Sequence, residues 1–441
     1  MVRLNKIVSA FTHEGARAQR FTPEMELKRA LMNCLLWEDQ FYEDGVAIAD
    51  RIKALVPKVA PARVAELAIE ARQLMKLRHA PLLVVREMAR NEKHRALVAD
   101  TLARVIQRPD EMTELLAIYW ADALGPMQQR KRQPVSAQVK KGLARALTKF
   151  DAYQLAKYNR DGAVRIKDVL FLVHAKPKDA EQEKVWKQLV DGELASPDTW
   201  EVSLSAGKSK RETFERLIAE KKLGGMALLR NLRLMQKAEV RRGTIAYAIN
   251  AMRTDRILPY RFITAARYAP DFEPELETAM LKSIKDHVRL PGRTRLLIDV
   301  SGSMDERLSA QSEMTRAEAA CGLAILAREI CEEVEIFTFS NEVVKIPARS
   351  GFALRDAIIN SQPHGGTYLG KAVSKIDRQG DRLIVFTDEQ SHDHVPEPKA
   401  RGTMVNVASY QHGVGHGPWT RVDGFSEAVV AWIAESEQTL H

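Results

Sequence analysis

Cysteine is scarce in this sequence, and long apolar runs are missing from it. The three cysteines, Cys34, Cys321 and Cys331, are odd in number and scattered, and no two of them have Cys-x-x-Cys spacing. This pattern excludes a disulfide-stabilised scaffold and predicts reduced, mostly buried thiols in a reducing compartment. No apolar run is long enough to span a bilayer, and the N-terminal segment lacks a signal peptide's apolar core. We therefore expect a cytoplasmic protein with no membrane partner.

The composition is that of a globular protein with more than one domain. The chain has 441 residues, of which 45% are hydrophobic and 28% charged. A single ordinary core does not grow to this length, so we expect two or three domains.

The charge is distributed unevenly along the chain. Residues 1–290 carry 52 Lys and Arg against 37 Asp and Glu, a net charge of +15. Residues 291–441 carry 15 against 21, a net charge of −6. A large basic part joined to a mildly acidic one is typical of a protein that binds nucleic acid, although basic proteins with other partners exist.

The first part of the chain, from Thr22 to about Val288, has helical periodicity almost throughout. Thr22 and Pro23 form a helix start, with a capping threonine before a proline at the first helical position. Further helices are predicted at Gly45–Leu55, Pro61–Met75, Ala80–Arg90, His94–Val105, Pro109–Ala123, Ser136–Phe150, Lys167–Val173, Ala180–Leu189, Lys210–Glu220, Gly225–Gln236, Glu239–Met252 and Glu275–Arg289. The short loops between them favour antiparallel pairs stacked as an α-solenoid, although no sequence repeat is visible.

The remainder of the chain alternates predicted strands and helices. Strands are predicted at Leu296–Asp299, Val334–Ser340, Arg382–Thr387 and Thr403–Ser409, with a hairpin-like partner at Glu342–Ile346. Helices are predicted at Gln311–Ile330, Leu354–Asn360, Gly370–Ile376 and Ser426–Glu435. This alternation predicts a doubly wound, parallel α/β sheet.

Oxygen-bearing side chains follow two of these strands. Asp299, Ser301 and Ser303 come directly after the first strand, and Asp388 ends a later one. Between them, a glycine-rich loop carries Thr367. Ligands bind at the carboxyl ends of the strands in such sheets, and hydroxyl and carboxylate oxygens suit Mg²⁺ or another hard divalent cation. The alternative interpretation is a polar turn after a strand.

These five positions resemble the metal-ion-dependent adhesion site of von Willebrand factor A domains. The resemblance implies that Ser301 and Ser303 bind the metal through their hydroxyls, and that Thr367 binds directly or through water. Asp299 and Asp388 would largely contact these ligands rather than the metal itself. A sixth position would accept an acidic group from a partner.

Four segments of the helical part resemble the TROVE module of Ro ribonucleoproteins. They are Phe21–Leu36, Ala146–Gly162, Asp168–Pro177 and Leu223–Arg233. Members of that family join this module to a C-terminal von Willebrand A domain, which is the order found here. The resemblance predicts a HEAT-like helical-repeat domain at residues 1–288, closed into a ring, and a von Willebrand A-like domain at residues 289–441. It implies a monomeric, non-enzymatic scaffold that binds small structured Y-like RNA outside and the 3′ ends of misfolded RNA in a central hole, for RNA quality control or processing. An exoribonuclease or another protein would bind through the metal site.

When the sequence is matched to that family, the residues that contact structured RNA correspond to Lys157, Arg160 and His174. The match needs a small gap between the arginine and the histidine. The alternative is that Lys157 and Arg160 are ordinary solvated charges and that His174 is a half-buried structural residue. A second basic segment is expected to bind single strands through its cations: Arg130, Lys131, Arg132, Lys140 and Lys141. A solvated face is the alternative there as well.

Other motifs are incomplete. The loop from Gly365 to Lys371 lacks the Ser or Thr that completes a phosphate-binding P-loop, because Ala372 follows the lysine. Asp299–Ser303 lacks the flanking glycines of a nucleophile elbow. The histidines near His392 and His412 lie in polar loops without a cysteine, where solvated side chains are favoured over a transition-metal site. The rival function is a metal-dependent protein–protein adaptor, such as the von Willebrand A subunit of a chelatase or AAA-type complex.

Overall fold

The computed structural model describes residues 10–11, 17–18, 22–32, 45–73, 77–120, 134–254, 257, 259–284, 289–308, 314–408, 413–415 and 418–423. They group into two compact units, one formed by described residues between 23 and 206 and the other mainly by those from 207 onward. The predicted domain boundary at 288–289 lies within the second unit and stays a prediction. Near the N-terminus, strands β1 (Ala10–Phe11) and β2 (Arg17–Ala18) pair antiparallel.

The first unit is helical. Its described α-helices are α1 (Pro23–Met32), α2 (Gly45–Leu55), α3 (Pro61–Gln73), α4 (His79–Arg90), α5 (Arg95–Val105), α6 (Asp110–Trp120), α7 (Ala137–Leu147), α8 (Ala152–Tyr158), α9 (Ile166–Val173), α10 (Ala180–Asp191) and α11 (Trp200–Ser205). Several begin at side-chain caps, for example α8, where Asp151 and Gln154 form a capping box.

The helices of this unit pack in two rows. Helices α3, α5, α7 and α9 contact one another in succession, and α4 packs against α6 and against α3 and α5. Helices α5 and α7 approach closely at Gly142 of α7, where an added Cβ would lie 2.9 Å from the Leu102 Cβ of α5. This stacking of alternate helices agrees with the solenoid predicted from the short loops.

The second unit combines helices with a sheet. Its described helices are α12 (Lys210–Ala219), α13 (Gly225–Lys237), α14 (Arg242–Ala251), α15 (Pro259–Tyr268), α16 (Glu273–Ile284), α17 (Arg316–Ile330), α18 (Gly351–Ile359) and α19 (Leu369–Ile376). Its strands are β3 (Leu290–Asp299), β4 (Cys331–Phe339), β5 (Val343–Ile346), β6 (Arg382–Thr387), β7 (Arg401–Asn406) and β8 (Thr420–Asp423).

The six strands form one mixed sheet in the order β5-β4-β3-β6-β7-β8. All neighbours are parallel except β4 and β5, which pair antiparallel as the hairpin-like partner predicted. Leu297 and Val385 pack in one cluster with Val373 of α19. The alternating residues Ile298 and Phe386 point to the other face and are also fully buried. Both faces are therefore covered, as in a doubly wound sheet.

Most predicted elements are present with shifted ends, and several were missed. The helix predicted at Glu239–Met252 is Arg242–Ala251, and that predicted at Glu275–Arg289 is Glu273–Ile284. Helices α8, α11 and α15 and strand β8 were not predicted. The predicted helix Ser426–Glu435 lies outside the described residues. In the described part of the chain, no helix is both long and apolar enough to cross a membrane, and Cys321 and Cys331 are buried and form no disulfide.

Candidate metal centre and basic surfaces

Two aspartates meet where neighbouring parallel strands end. Strands β3 and β6 pair with Ile298 opposite Phe386, so that Asp299 and Thr387 end the two strands side by side. The Thr387 hydroxyl donates a hydrogen bond of 2.6 Å to Asp299 Oδ2. Asp388 follows immediately, and both aspartates are fully buried. The structure thus brings together the two carboxylates that the sequence placed at strand ends.

The serine segment lies against the glycine-rich loop. Gly302 donates its backbone N–H to the carbonyl of Gly365 at 2.9 Å. His364 Nδ1 lies 2.7 Å from Asp305 Oδ1, which joins the two loops a second time. The Ser301 and Ser303 hydroxyl oxygens are 3.3 Å apart. Two of the expected hydroxyl ligands are therefore adjacent, on a segment anchored to the loop that carries the third.

Thr367 is buried and held by the loop after β6. Its N–H donates to His392 Nδ1 at 3.1 Å, and its carbonyl accepts the His392 N–H at 2.8 Å. The Tyr368 and His392 rings stack with centroids 5.3 Å apart. Asp393 accepts the N–H groups of the first turn of α19, at 2.7 Å for Lys371. These bonds fix the position of the threonine relative to β6.

The two aspartates at the strand ends have electrostatic surroundings that differ from those of surface carboxylates. The pKa of Asp299 is raised to about 7, chiefly by burial and then by the nearby charge of Asp388, while hydrogen bonds from Ser301 and Thr387 act in the opposite direction. Asp388 has a cation beside it: Arg316 Nη1 lies 3.2 Å from Asp388 Oδ2 and 3.4 Å from the Ser303 carbonyl. One guanidinium thus faces one of the two buried carboxylates and a main-chain carbonyl.

The donor set fits a hard divalent cation. Hydroxyls of Ser301, Ser303 and Thr367 would be the neutral oxygen ligands, and the carboxylates behind them would supply the negative charge that Mg²⁺ requires. A bound cation would also offset the repulsion between the carboxylates of Asp299 and Asp388, which raises the pKa of Asp299. The surroundings of this site are not purely acidic, because Arg316 already neutralises part of the charge of Asp388.

A transition-metal site is a poorer match to the geometry. Among the described residues there is no cluster of three or more His, Cys, Asp or Glu side chains that could hold a metal. The side chains of His392 and Asp393 hydrogen-bond to the loop and helix around Thr367. His412 and His416 lie outside the described residues.

The three residues predicted to contact structured RNA are all exposed. Lys157 lies in the last turn of α8, with Nζ 5.9 Å from the centre of the Tyr153 ring. Arg160 follows α8, and His174 ends α9 in a left-handed conformation, with φ of 49°. Across the described residues, neither Lys157 nor Arg160 makes a side-chain hydrogen bond or ion pair. Within the described part of the chain, neither charge therefore has an ion pair through which it would stabilise the fold.

Sequence reasoning missed the aromatic residues near these cations. Tyr153 is 50% exposed and Phe171 is 57% exposed. Tyr153 is one helical turn before Lys157, and Phe171 precedes His174 by three residues, so each aromatic shares a helix end with a predicted contact residue. Their exposure could not be inferred from residue type.

The second predicted basic segment is only partly described. Lys140 and Lys141 lie in the first turns of α7, which begins at the capping residue Ser136. Lys141 is exposed and Lys140 is partly buried. Arg130, Lys131 and Arg132 lie outside the described residues.

Sequence reasoning also missed Arg316 and Thr387, which contact the two aspartates directly. Thr387 precedes Asp388 and ends a strand, so its place beside Asp299 follows once the register of β3 and β6 is known. Arg316 is the first residue of α17 after the capping residue Thr315, and no spacing in the sequence links it to a residue 72 positions later.

Comparisons with known proteins agree with this architecture. Residues 192–320 match the family model of the TROVE domain. This segment is therefore similar to a TROVE domain. One similar solved structure is the crystal structure of the Deinococcus radiodurans Ro (RSR) protein, with a TM-score of 0.62 and 18% identity, over 93% of this chain and 99% of that chain. No curated protein matches the chain.

Both findings support the Ro-type recognition made from the sequence. The fold class is confirmed: a mainly α-helical part is followed by a mixed α/β sheet, as in the Ro structure. Of the four segments that suggested the TROVE module, only Leu223–Arg233 falls within the matched residues. The match also runs past the predicted boundary at residue 288 and ends within α17.

Proposed function

We propose that this protein is a non-enzymatic RNA-binding scaffold of the Ro type. The observation that carries the proposal is the surface around α8 and α9, defined by Tyr153, Lys157, Arg160, Phe171 and His174. It combines exposed aromatic rings with the exposed cations Lys157 and Arg160, which pair with no carboxylate among the residues that the structure describes. Phosphates bind the cations, and unpaired bases stack on the rings, so both halves of a nucleotide find a complementary group.

The charge distribution supports the same proposal. Residues 1–290, with a net charge of +15, provide the attraction for phosphates, whereas residues 291–441 are acidic. Small structured, Y-like RNA would bind at the surface around α8 and α9. Single-stranded 3′ ends of misfolded RNA would bind elsewhere on the basic part, in the central hole that the family resemblance implies, in a role in RNA quality control or processing.

Ser301, Ser303 and Thr367 would hold a divalent cation, Mg²⁺ in the simplest case, with Asp299 and Asp388 orienting the ligands. The bound cation would offer an open coordination position to an acidic group of a partner protein, such as an exoribonuclease. The chain's own residues prepare that position: Thr387 and the Ser301 N–H orient Asp299, and His392 fixes Thr367. We propose that protein recruitment, rather than chemistry, is the use of this site, and that the protein acts as a monomer in the cytoplasm.

The test is the nucleic acid that copurifies with the protein. We expect a high ratio of absorbance at 260 nm to that at 280 nm, which RNase lowers and DNase does not. A washed, nucleic-acid-free protein should rebind structured RNA in a filter assay. A protein that purifies without RNA and binds none, but captures a protein partner in Mg²⁺ and loses it in EDTA, would instead favour the adaptor of a chelatase or AAA-type complex.

A further inference from the structure

A cavity of about 310 Å³ opens between α13 and α15, inside the second compact unit. Each helix lines it with four positions spaced i, i+3, i+4 and i+7, which is one helical face. On α13 the face runs from Met226 to Arg233, and on α15 it runs from Arg261 to Tyr268. The volume is in the range of small-ligand pockets and larger than one inorganic anion requires.

The cavity is lined by cations. Arg230 and Arg233 of α13 and Arg261 of α15 all contribute to its wall. Neither α13 nor α15 contains an aspartate or glutamate. In the described part of the chain, Arg230 and Arg233 make no hydrogen bond or ion pair, and both are exposed. Two carboxylates of other helices, Glu318 of α17 and Glu275 of α16, pair with Arg267 and Arg242.

The rest of the lining is suited to a flat, partly apolar group. Leu229 and Ala265 are buried and form an apolar wall, and Tyr268 adds an aromatic ring. Thr264 adds a hydroxyl. Guanidinium groups bind phosphate through two donors at once, and both guanidinium and phenol rings stack on bases. A nucleotide presents the phosphate and the flat ring together, whereas an acidic peptide presents carboxylates without the ring.

We infer that this cavity binds one nucleotide unit, with its phosphate on Arg230, Arg233 and Arg261 and its base against Tyr268 and the apolar wall. The inference rests on the proposed RNA-binding function but assigns a separate site to it. The unit is either a free mononucleotide or one residue of an unpaired strand, since both present the same chemistry. All the lining residues fall within the matched TROVE segment at residues 192–320.

The test uses the full chain and three probes: AMP, a fluorescent ten-nucleotide oligoadenylate, and a ten-residue polyglutamate peptide. Arg230→Gln/Arg233→Gln removes two lining cations and keeps the aliphatic stems. Arg241→Gln/Arg267→Gln is the matched control, because it removes two arginines of the same helical region that pair with Glu215 and Glu318 outside the cavity. Thermal midpoints of both variants are compared with the wild type to show that they fold.

We expect the cavity variant to bind AMP, the oligoadenylate or both at least about tenfold more weakly, since it loses two charged hydrogen-bond donors to the phosphate. The control should bind within about twofold of the wild type. A second variant, Tyr268→Leu, should weaken nucleotide binding by about tenfold but leave competition by inorganic phosphate unchanged, because only the base stacks on the ring.

The outcomes distinguish a free nucleotide from an unpaired strand as the ligand. They also distinguish failure of this inference from failure of the proposed function. Loss of AMP binding identifies a free nucleotide as a ligand, and loss of oligoadenylate binding alone identifies an unpaired strand; either supports the inference. Unchanged binding of both probes in the cavity variant, or tighter binding of polyglutamate than of either, overturns it. If structured RNA still binds in that case, the proposed function stands without this pocket. If AMP binds through these arginines while structured RNA does not bind, the pocket stands and the proposed function fails.

Discussion

Arg316 Nη1 lies 3.2 Å from Asp388 Oδ2, and both side chains are almost completely enclosed. Removing a neighbouring cation from a buried carboxylate costs free energy, so this ion pair stabilises the site in the absence of a metal. The same positive charge opposes a second cation near Asp388. Arg316 and the metal are therefore expected to compete for the negative charge of this site.

The first prediction removes this arginine. Without metal, Arg316→Gln should lower the free energy of unfolding by about 3–5 kcal/mol, because Asp388 stays buried without its partner. Mg²⁺ should restore part of that loss and should stabilise the variant more than the wild type. Denaturant unfolding with and without Mg²⁺ measures both effects, and the control is Arg328→Gln, which removes a partly buried arginine of the same helix that pairs with Glu329. Equal Mg²⁺ stabilisation of wild type and variant would show that Arg316 does not compete.

The second prediction concerns Asp299. Asp299→Ala should weaken Mg²⁺ binding at least about tenfold, because it removes the acceptor that orients the ligands and their waters. RNA binding should be unchanged, since the basic charge lies elsewhere in the chain. Isothermal calorimetry at pH 8, above the raised pKa of Asp299, measures the affinity. The exposed carboxylate variant Asp356→Ala is the control, and an Mg²⁺ affinity of Asp299→Ala equal to that of the wild type would refute the site.

The meeting of Asp299 and Asp388 was predictable from the sequence because each follows a strand. Apolar runs before Asp299 and Asp388 identify two strand ends, and the carboxyl ends of parallel strands lie on one edge of a sheet. The segment from Arg382 to Thr387 forms a strand with the predicted ends. Arg316 was not predictable, since it reaches the site from a helix end rather than from a strand end.

Helix α15 shows where sequence patterns give too little information. Its residues Phe262, Ile263 and Thr264 are aromatic or β-branched and have modest helix propensity. Burial of Phe262 and Ile263 against neighbouring helices stabilises the helical conformation. The cavity between α13 and α15 depends on this helix, so its three arginines could not be grouped from their spacing in the sequence.

The third prediction tests the surface around α8 and α9. Neutralising Lys157, Arg160 and His174 together should weaken binding of structured RNA and reduce the slope of log affinity against log salt by about 0.7–0.9 per lost phosphate contact. Binding of a short single-stranded 3′ tail should change little, because that RNA is assigned to a separate surface. The measurement is filter binding at several salt concentrations with both RNAs.

The control for this triple variant replaces Lys178, Lys184 and Lys187, which are exposed on or next to α10. It removes three positive charges from the same unit, so it corrects for the general loss of attraction. Equal losses for the two RNAs in the first variant would indicate one shared site. No loss for either RNA would mean that the family correspondence fails at these residues.

The fourth prediction tests the stacking of the helical unit through two glycines. Gly142→Ala should destabilise the protein by about 1–3 kcal/mol, since its Cβ would lie 2.9 Å from the Leu102 Cβ and 3.0 Å from the Ala99 carbonyl oxygen. This cost exceeds the gain of up to about 1 kcal/mol in helix propensity. Gly243→Ala in α14 is the matched control, because nothing lies within 4 Å of its added Cβ. The control should therefore be neutral or stabilising in thermal unfolding, and a stabilising Gly142→Ala would show that α5 and α7 are less closely packed than this geometry requires.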